Sequence, residues 1–290
     1  MQLNDQAIAA LLPEHIAHRF RHRRLNKDLV VTLSPTGAFI LSQYDFGNRN
    51  MLMLTDQSGT YFTQDAEKTA AAILKLSAYL GRGEIIFVGS SKGGFGALLL
   101  AGVCARAAPH KAIRALAFGP PTRLYPPNDN LRDIPSYNTL LSKIERRPRV
   151  ARALGLWGDL KMIERLPNLY AVLAYSELCR QDVVEAAHLC APHIRKLPVP
   201  YPVHGSINPT RMQGKSEEEV LQAMTNQRRA ATKDADPDQA DGVTAEDLTA
   251  WIVGNPWIPE LSQLVEQIMV EGARFQPAVK ARADAAVAAS

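Results

Sequence analysis

Residues Ile85 to Leu100 read IIFVGSSKGGFGALLL, and this segment constrains the chain more than any other. Four apolar residues, Ile85 to Val88, run into Gly89-Ser90-Ser91-Lys92-Gly93, a G-x-S-x-G pentapeptide, and an Ala/Leu-rich helical pattern runs straight out. A buried strand, a very tight turn and an immediate helix make the elbow that holds a serine hydroxyl exposed above a sheet. Gly89 and Gly93 leave room where a Cβ would meet neighbouring backbone, while Gly94 and Gly96 let the helix pack closely on the sheet. The pentapeptide register puts Ser91 at the apex and directs Ser90 elsewhere. Gly-rich turns of this kind also grip phosphates or serve structure alone. The phosphate-loop pattern, however, wants its lysine after the glycines, and Lys92 precedes them.

The rest of the chain supplies the rhythm that such an elbow needs. Strand-like runs at Leu29–Leu33, Met51–Leu54, Ile113–Phe118, Leu169–Tyr175 and near Arg195–Tyr201 alternate with helical patterns at Asp65–Leu80, Lys92–Ala107 and Asp182–Cys190. Ala38–Ser42 reads as a short strand or a loop return. This alternation predicts an α/β fold, a mostly parallel central sheet with helices on both faces. Three parts follow. An N-terminal helical segment spans 1–28, the α/β core spans 29–209 with a proline-rich insertion at about 122–166, and a helical C-terminal extension spans 210–290. The extension contains an acidic linker at 233–242, too poor in apolar residues to pack, and the apolar residues Trp251, Ile252, Trp257, Ile258 and Leu261.

A serine hydroxyl needs a base to take its proton and an acid to orient that base. The chain has seven histidines. Only His204, followed by Gly205, comes right after a strand-like run downstream of the other candidates. Two carboxylates compete for the acid. Asp182 opens a helical pattern with Glu185 three residues on, a spacing that also makes a capping box, and Glu177 sits closer to the strand end. For an oxyanion hole the pattern offers the backbone N–H of Lys92 and, since Pro35 has none, that of Thr36 or Gly37.

Taken together, the elbow at Ser91, the carboxylate at Asp182 and the histidine at His204 resemble the α/β-hydrolase superfamily from Leu29 to Gly205. The run Tyr175 to Ala187 also resembles hydrolase-like proteins of bacterial polysaccharide handling and accessory secretion. The resemblance implies a serine hydrolase that cleaves an ester through an acyl-enzyme, on an acylated glycan or a small metabolite, without cofactor or metal. It equally implies an acyltransferase with the same triad, or a scaffold that has lost catalysis and serves binding or assembly. The insertion at 122–166 would then be a lid. One departure from the family pattern is Ser34-Pro35-Thr36-Gly37 in place of His-Gly after the first core strand.

Composition narrows the partners. The net charge of +4, from 33 basic against 29 acidic residues, is too mild to argue for nucleic acid, and the basic run His15–Lys27 reads as a solvated face. His15, His18 and His22 lack the carboxylate or cysteine companions of a metal site. No apolar stretch is long enough for a membrane span, and the opening MQLNDQAIAALLPEH lacks a secretory pattern. Three cysteines without ligand spacing suit a reducing compartment, so a cytoplasmic location is expected. The apolar C-terminal helices are a candidate contact for a second copy or another protein.

Overall fold

The computed structural model describes residues 5–234 and 242–273. Most of the acidic linker at 233–242 and all of the Ala-rich end from Ala281 lie outside the described residues. Seven strands form one sheet: β1 (Ile16–Arg21), β2 (Leu29–Ser34), β3 (Asn50–Asp56), β4 (Ile85–Ser90), β5 (Ile113–Phe118), β6 (Leu169–Ser176) and β7 (Ile194–Val199). Their spatial order is β1-β3-β2-β4-β5-β6-β7. β1 runs antiparallel to β3, and every other pairing is parallel.

Every residue of β2, β4 and β5 is buried, as expected of a parallel sheet covered on both faces. Strand alternation sorts the side chains between two cores. Leu29, Val31, Leu33, Ile85, Phe87, Ala115 and Ala117 face one side, where α2 (Ala66–Tyr79) and α3 (Lys92–Ala107) pack. Val30, Ile86, Val88, Leu116 and Phe118 face the other, where they meet Leu41 and Phe46 of the β2–β3 loop and Leu261, Leu264, Val265 and Ile268 of α10 (residues 261–273). Ala38–Ser42 is therefore a packed loop rather than a strand.

The N-terminal segment corrects the expectation of a helix over 1–28. Only α1 (Asp5–Ala9) is helical, and Ile16–Arg21 forms β1, paired residue by residue with Arg21 opposite Met51 and Ile16 opposite Asp56. The pattern Ile-Ala-His-Arg-Phe-Arg fits a period of two as well as a helical face. With no intrinsic preference to decide it, the open edge of β3 does. Its arginines then protect the new edge from further pairing.

The C-terminal extension completes the fold. α8 (Glu217–Asp234) and α9 (Ala245–Val253) share a third core with β7 and α7 (Ile207–Met212), built on Val199, Tyr201, Met212, Val220, Met224, Leu248, Ile252 and Ile258. Trp251 is half-buried and meets Tyr201 edge-on at 5.2 Å. Of the apolar residues noted in the sequence, Trp257 alone stays exposed.

Between β5 and β6 the insertion folds as α4 (Pro135–Arg146) and α5 (Pro148–Trp157) flanked by short 3-10 turns. Leu131, Tyr137, Leu140, Val150, Leu154 and Ile163 bury it against the α3 side of the sheet. A buried carboxylate ties its start to α6 (Arg180–His188). Glu185, 4% exposed, accepts from Thr122 N at 2.7 Å, Asn128 Nδ2 at 2.8 Å and Asn130 Nδ2 at 2.8 Å. These bonds replace the capping box expected for Asp182 and Glu185, and α6 begins two residues earlier, at Arg180. Removing the acceptor would strand several buried donors. Glu185→Ala should therefore lower stability by about 3 kcal/mol, read as a shift of the urea unfolding midpoint.

Candidate active site

The C-terminal ends of the parallel strands share one edge of the sheet, where α/β folds place their ligands. At the end of β4 the chain turns through Ser91, whose φ of 50° and ψ of −121° lie outside the usual regions for a residue with a side chain. Two backbone contacts hold the turn: Ser91 N donates to Phe118 O at 2.8 Å and Phe95 N to Ser91 O at 3.0 Å. The flanking glycines are obligatory. A Cβ on Gly89 would come within 2.1 Å of Gly93 O, and one on Gly93 within 2.1 Å of Leu33 O. Gly96 admits the Phe62 ring, where a Cβ would lie 2.4 Å from it. Ser90 belongs to β4 and is buried beside β5; Ser91 is half-buried at the apex.

β6 and β7 deliver the other two groups. Asp182, on the first turn of α6, is 3% exposed. Its Oδ1 lies 2.7 Å from His204 Nδ1, and its Oδ2 accepts from Ser176 N at 3.2 Å. The carboxylate is thereby locked by backbone on one oxygen and spends the other on the imidazole. Glu177, the competing acid, is exposed on the turn after β6 and makes no hydrogen bond to the ring. His204 follows β7 on an exposed loop, with 40% of its side chain open. Burial opposes the charged ring, but the Asp182 charge and hydrogen bond outweigh it, so the His204 pKa stands above the ordinary 6.5. His193, by contrast, is a core residue bonded to Ile163 O at 3.0 Å, and burial pushes its pKa down.

Ser91 and His204 share the walls of two cavities. One is enclosed and about 20 Å³, bounded by Tyr61, Gly119, Pro120, Leu131 and Ile134 as well as Asp182. The other is an open cleft of about 480 Å³ running past Pro35, Thr36 and Ile40 towards α7 and α8. Thr36 lines the same cleft as Ser91, and Lys92 follows Ser91 at the start of α3. Gly37, the alternative donor, does not line the cleft.

Two contributors escape sequence reasoning. Gly119, which reads as a mere strand stop before Pro120 and Pro121, has φ +48°, and a Cβ there would stand 2.9 Å from Asp182 Oδ2 and 3.1 Å from His204 Cε1. It is the space into which the acid–histidine pair fits. The second is the turn after β3. Asp56 accepts from Thr60 N at 2.8 Å and Phe62 N at 2.9 Å, holding Tyr61 and Phe62 at positive φ. Tyr61 then walls the small cavity, its hydroxyl 3.0 Å from Ser136 Oγ of α4, and burial pushes its pKa up to about 12. Asp56-Gln57-Ser58-Gly59 reads as a strand stop, and nothing in it announces the placement of Tyr61. Gly119 carries a faint signal in the Gly-Pro-Pro that ends β5.

Among the described residues no cluster of His, Cys, Asp and Glu is placed to hold a metal ion, and no helix is long and apolar enough to cross a membrane. If Asp182 is what lifts the imidazole, Asp182→Asn leaves burial unopposed. The His204 pKa, followed by NMR of the labelled ring, should lie above 6.5 in the parent and fall in the variant. An unchanged value would mean that the contact does not persist in solution.

No protein-family model matches the chain, and no curated protein matches it by sequence. Solved structures do resemble it. Carboxyl esterase 2 from the mycorrhizal fungus Tuber melanosporum is 11% identical over 59% of this chain and 66% of its own, with a TM-score of 0.43. An α/β-hydrolase enzyme from a Medee basin deep-sea metagenome library is 14% identical over 63% of this chain and 85% of its own, with a TM-score of 0.40. The capsule O-acetyltransferase of Neisseria meningitidis serogroup A is 15% identical over 65% of this chain and 84% of its own, also with a TM-score of 0.40. With β1 antiparallel at the edge, a serine elbow after β4, a carboxylate after β6 and a histidine after β7, this chain has the α/β-hydrolase fold.

Proposed function

We propose that the chain is a serine esterase acting on short acyl esters, with Ser91 as nucleophile, His204 as general base and Asp182 as the acid that orients it. The observation that carries this reading is the 2.7 Å contact of Asp182 with His204 Nδ1 on a ring that shares both cavities with the strained elbow serine. With Nδ1 committed to the carboxylate, Nε2 is the nitrogen that accepts the Ser91 proton. The Ser91 oxygen attacks the ester carbonyl, and the backbone N–H groups of Lys92 and Thr36 receive the developing oxyanion. His204 then hands its proton to the leaving alkoxide. Water, deprotonated in turn by His204, releases the acid and restores the serine. Transfer to an acceptor hydroxyl follows the same steps with the acceptor in place of water.

The size of the enclosed cavity supports a short acyl group. A space of about 20 Å³ holds little more than one water or methyl group, so the bulk of a substrate belongs in the open cleft. 4-Nitrophenyl acetate should accordingly be cleaved with a kcat/KM at least about tenfold above that of the octanoate ester. Covalent labelling by a fluorophosphonate tests the nucleophile directly. The label should fall on Ser91, and Ser91→Ala should abolish it together with esterase activity, a loss on the order of 10⁴-fold or more. The base must be neutral to act. Labelling should therefore slow as pH falls through the His204 pKa, with its half-maximum above pH 6.5. A folded sample whose Ser91 resists the label would refute the esterase reading.

A further inference from the structure

The open cleft beside Ser91 has a chemistry that ester cleavage alone does not explain. Its lining contains no aspartate or glutamate, and apart from His204 its one ionisable side chain is Arg211, a permanent cation. Arg211 makes no ion pair among the described residues; its side chain meets the Tyr44 hydroxyl, and its Nε is buried without a hydrogen-bond partner. Asn208, one helical turn earlier on α7 and 3% exposed, also lines the cleft with its Nδ2 buried and unbonded. The Asn208 side chain also meets the Tyr201 hydroxyl, while its Nδ2 stays unbonded. Gln227, on α8, brings a further amide to the same wall. Buried donors without acceptors are costly and rare in folded proteins. Two of them line one cleft, one on a cation, so this wall offers free donors to an anionic group.

Resting on the esterase reading of Ser91, we propose that Asn208 and Arg211, with Gln227 at the rim, form a subsite for an anionic, carboxylate-bearing alcohol portion of the ester. The orientation follows from size. The enclosed cavity admits only a methyl-sized group, whereas the cleft, about 480 Å³, holds a ring or a sugar unit. A carboxylate there would accept from the Arg211 guanidinium and the Asn208 amide together, the planar fork arrangement that arginine favours. Arg211, Met212 and Ala223 also border a polar groove lined by Gln43, Lys215, Glu218, Glu219, Gln222 and Asn226. That continuation suits a hydroxyl-rich remainder better than an apolar one. The substrate class is thus a short acyl ester of an acidic, hydroxylated alcohol.

The test compares two acetate esters that differ in one charge, 4-acetoxybenzoate and its methyl ester, each rate divided by that ester's hydroxide-catalysed rate. The parent protein should prefer the carboxylate by about tenfold or more in kcat/KM. Arg211→Met should collapse that preference towards one, Arg211→Lys should keep part of it, and raising the salt concentration should weaken it. A parallel titration of Ser91→Ala with 4-acetoxybenzoate by calorimetry reads the subsite without catalysis, and binding should be lost when Arg211→Met is added. Equal rates for the two esters on protein whose Ser91 takes the fluorophosphonate would overturn the subsite alone, as would a preference that survives Arg211→Met. Arg211-dependent binding by Ser91→Ala, in a protein whose parent serine does not label, would uphold the subsite and refute the esterase reading.

Discussion

Everything at the candidate site depends on how closely the backbone approaches itself at the elbow. The Cα of Gly89 faces the carbonyl of Gly93, and the Cα of Gly93 faces that of Leu33, each at a separation that admits hydrogen alone. This approach lets α3 start without a connecting loop, directly above the sheet, and drives Ser91 into a φ of 50°. A sparsely populated conformation of this kind costs an L residue about 1–3 kcal/mol. It persists because the surroundings over-determine it. β4 is hydrogen-bonded on both edges, by β2 and β5, and α3 is buried from Gly93 to Ala105. The burial of one apolar helix thus holds one serine in an unfavourable geometry.

The imidazole is placed by a different principle, since it lies on a loop rather than in the core. Its position follows from three supports that converge from three strands. Asp182 comes after β6, Gly119 after β5 provides the room, and Gly205, at φ +120°, turns the chain into α7. The acid is rigid because Ser176 N binds its second oxygen, and α6 is rigid because Glu185 anchors it to the insertion. One short helix therefore carries both the carboxylate that meets the histidine and the one that anchors the insertion. A disturbance of the insertion should reach the histidine through α6, without touching the cleft.

The sheet was legible because each core strand is a short apolar run bounded by turn residues, and the elbow because its glycines have a steric purpose that any sequence must satisfy. Asp182 and His204 could be proposed from chain order, but the choice of Asp182 over Glu177 depends on which carboxylate points back under the sheet edge. A difference of five positions in one loop does not encode that direction. β1 was read as helix because its alternation is too short to separate a period of two from one of 3.6. What decides it is an unpaired edge contributed by β3, a tertiary fact. Gly119 and the Asp56 turn were missed for the same reason: each serves a neighbour remote in sequence, and the local string shows a loop.

The C-terminal helices change what kind of site this is. Without them the Ser91 elbow would lie at the rim of a bare sheet edge. With α7 and α8 in place it becomes the end of a cleft, since Ile207, Asn208, Arg211 and Met212 line one part of the wall and Ala223, Met224 and Gln227 another. α8 is held by a third core on Tyr201, Val220, Leu248 and Ile252, while α7 also sends Ile207 into the sheet core beside Leu261. The elbow and the acid–histidine pair depend on the sheet, where substitution is disruptive, while the α8 part of the cleft wall depends on this third core, which reaches the strands through Val199 of β7. Substitutions on α8 therefore reshape the cleft wall with less disturbance of the turn at Ser91 than substitutions in the sheet.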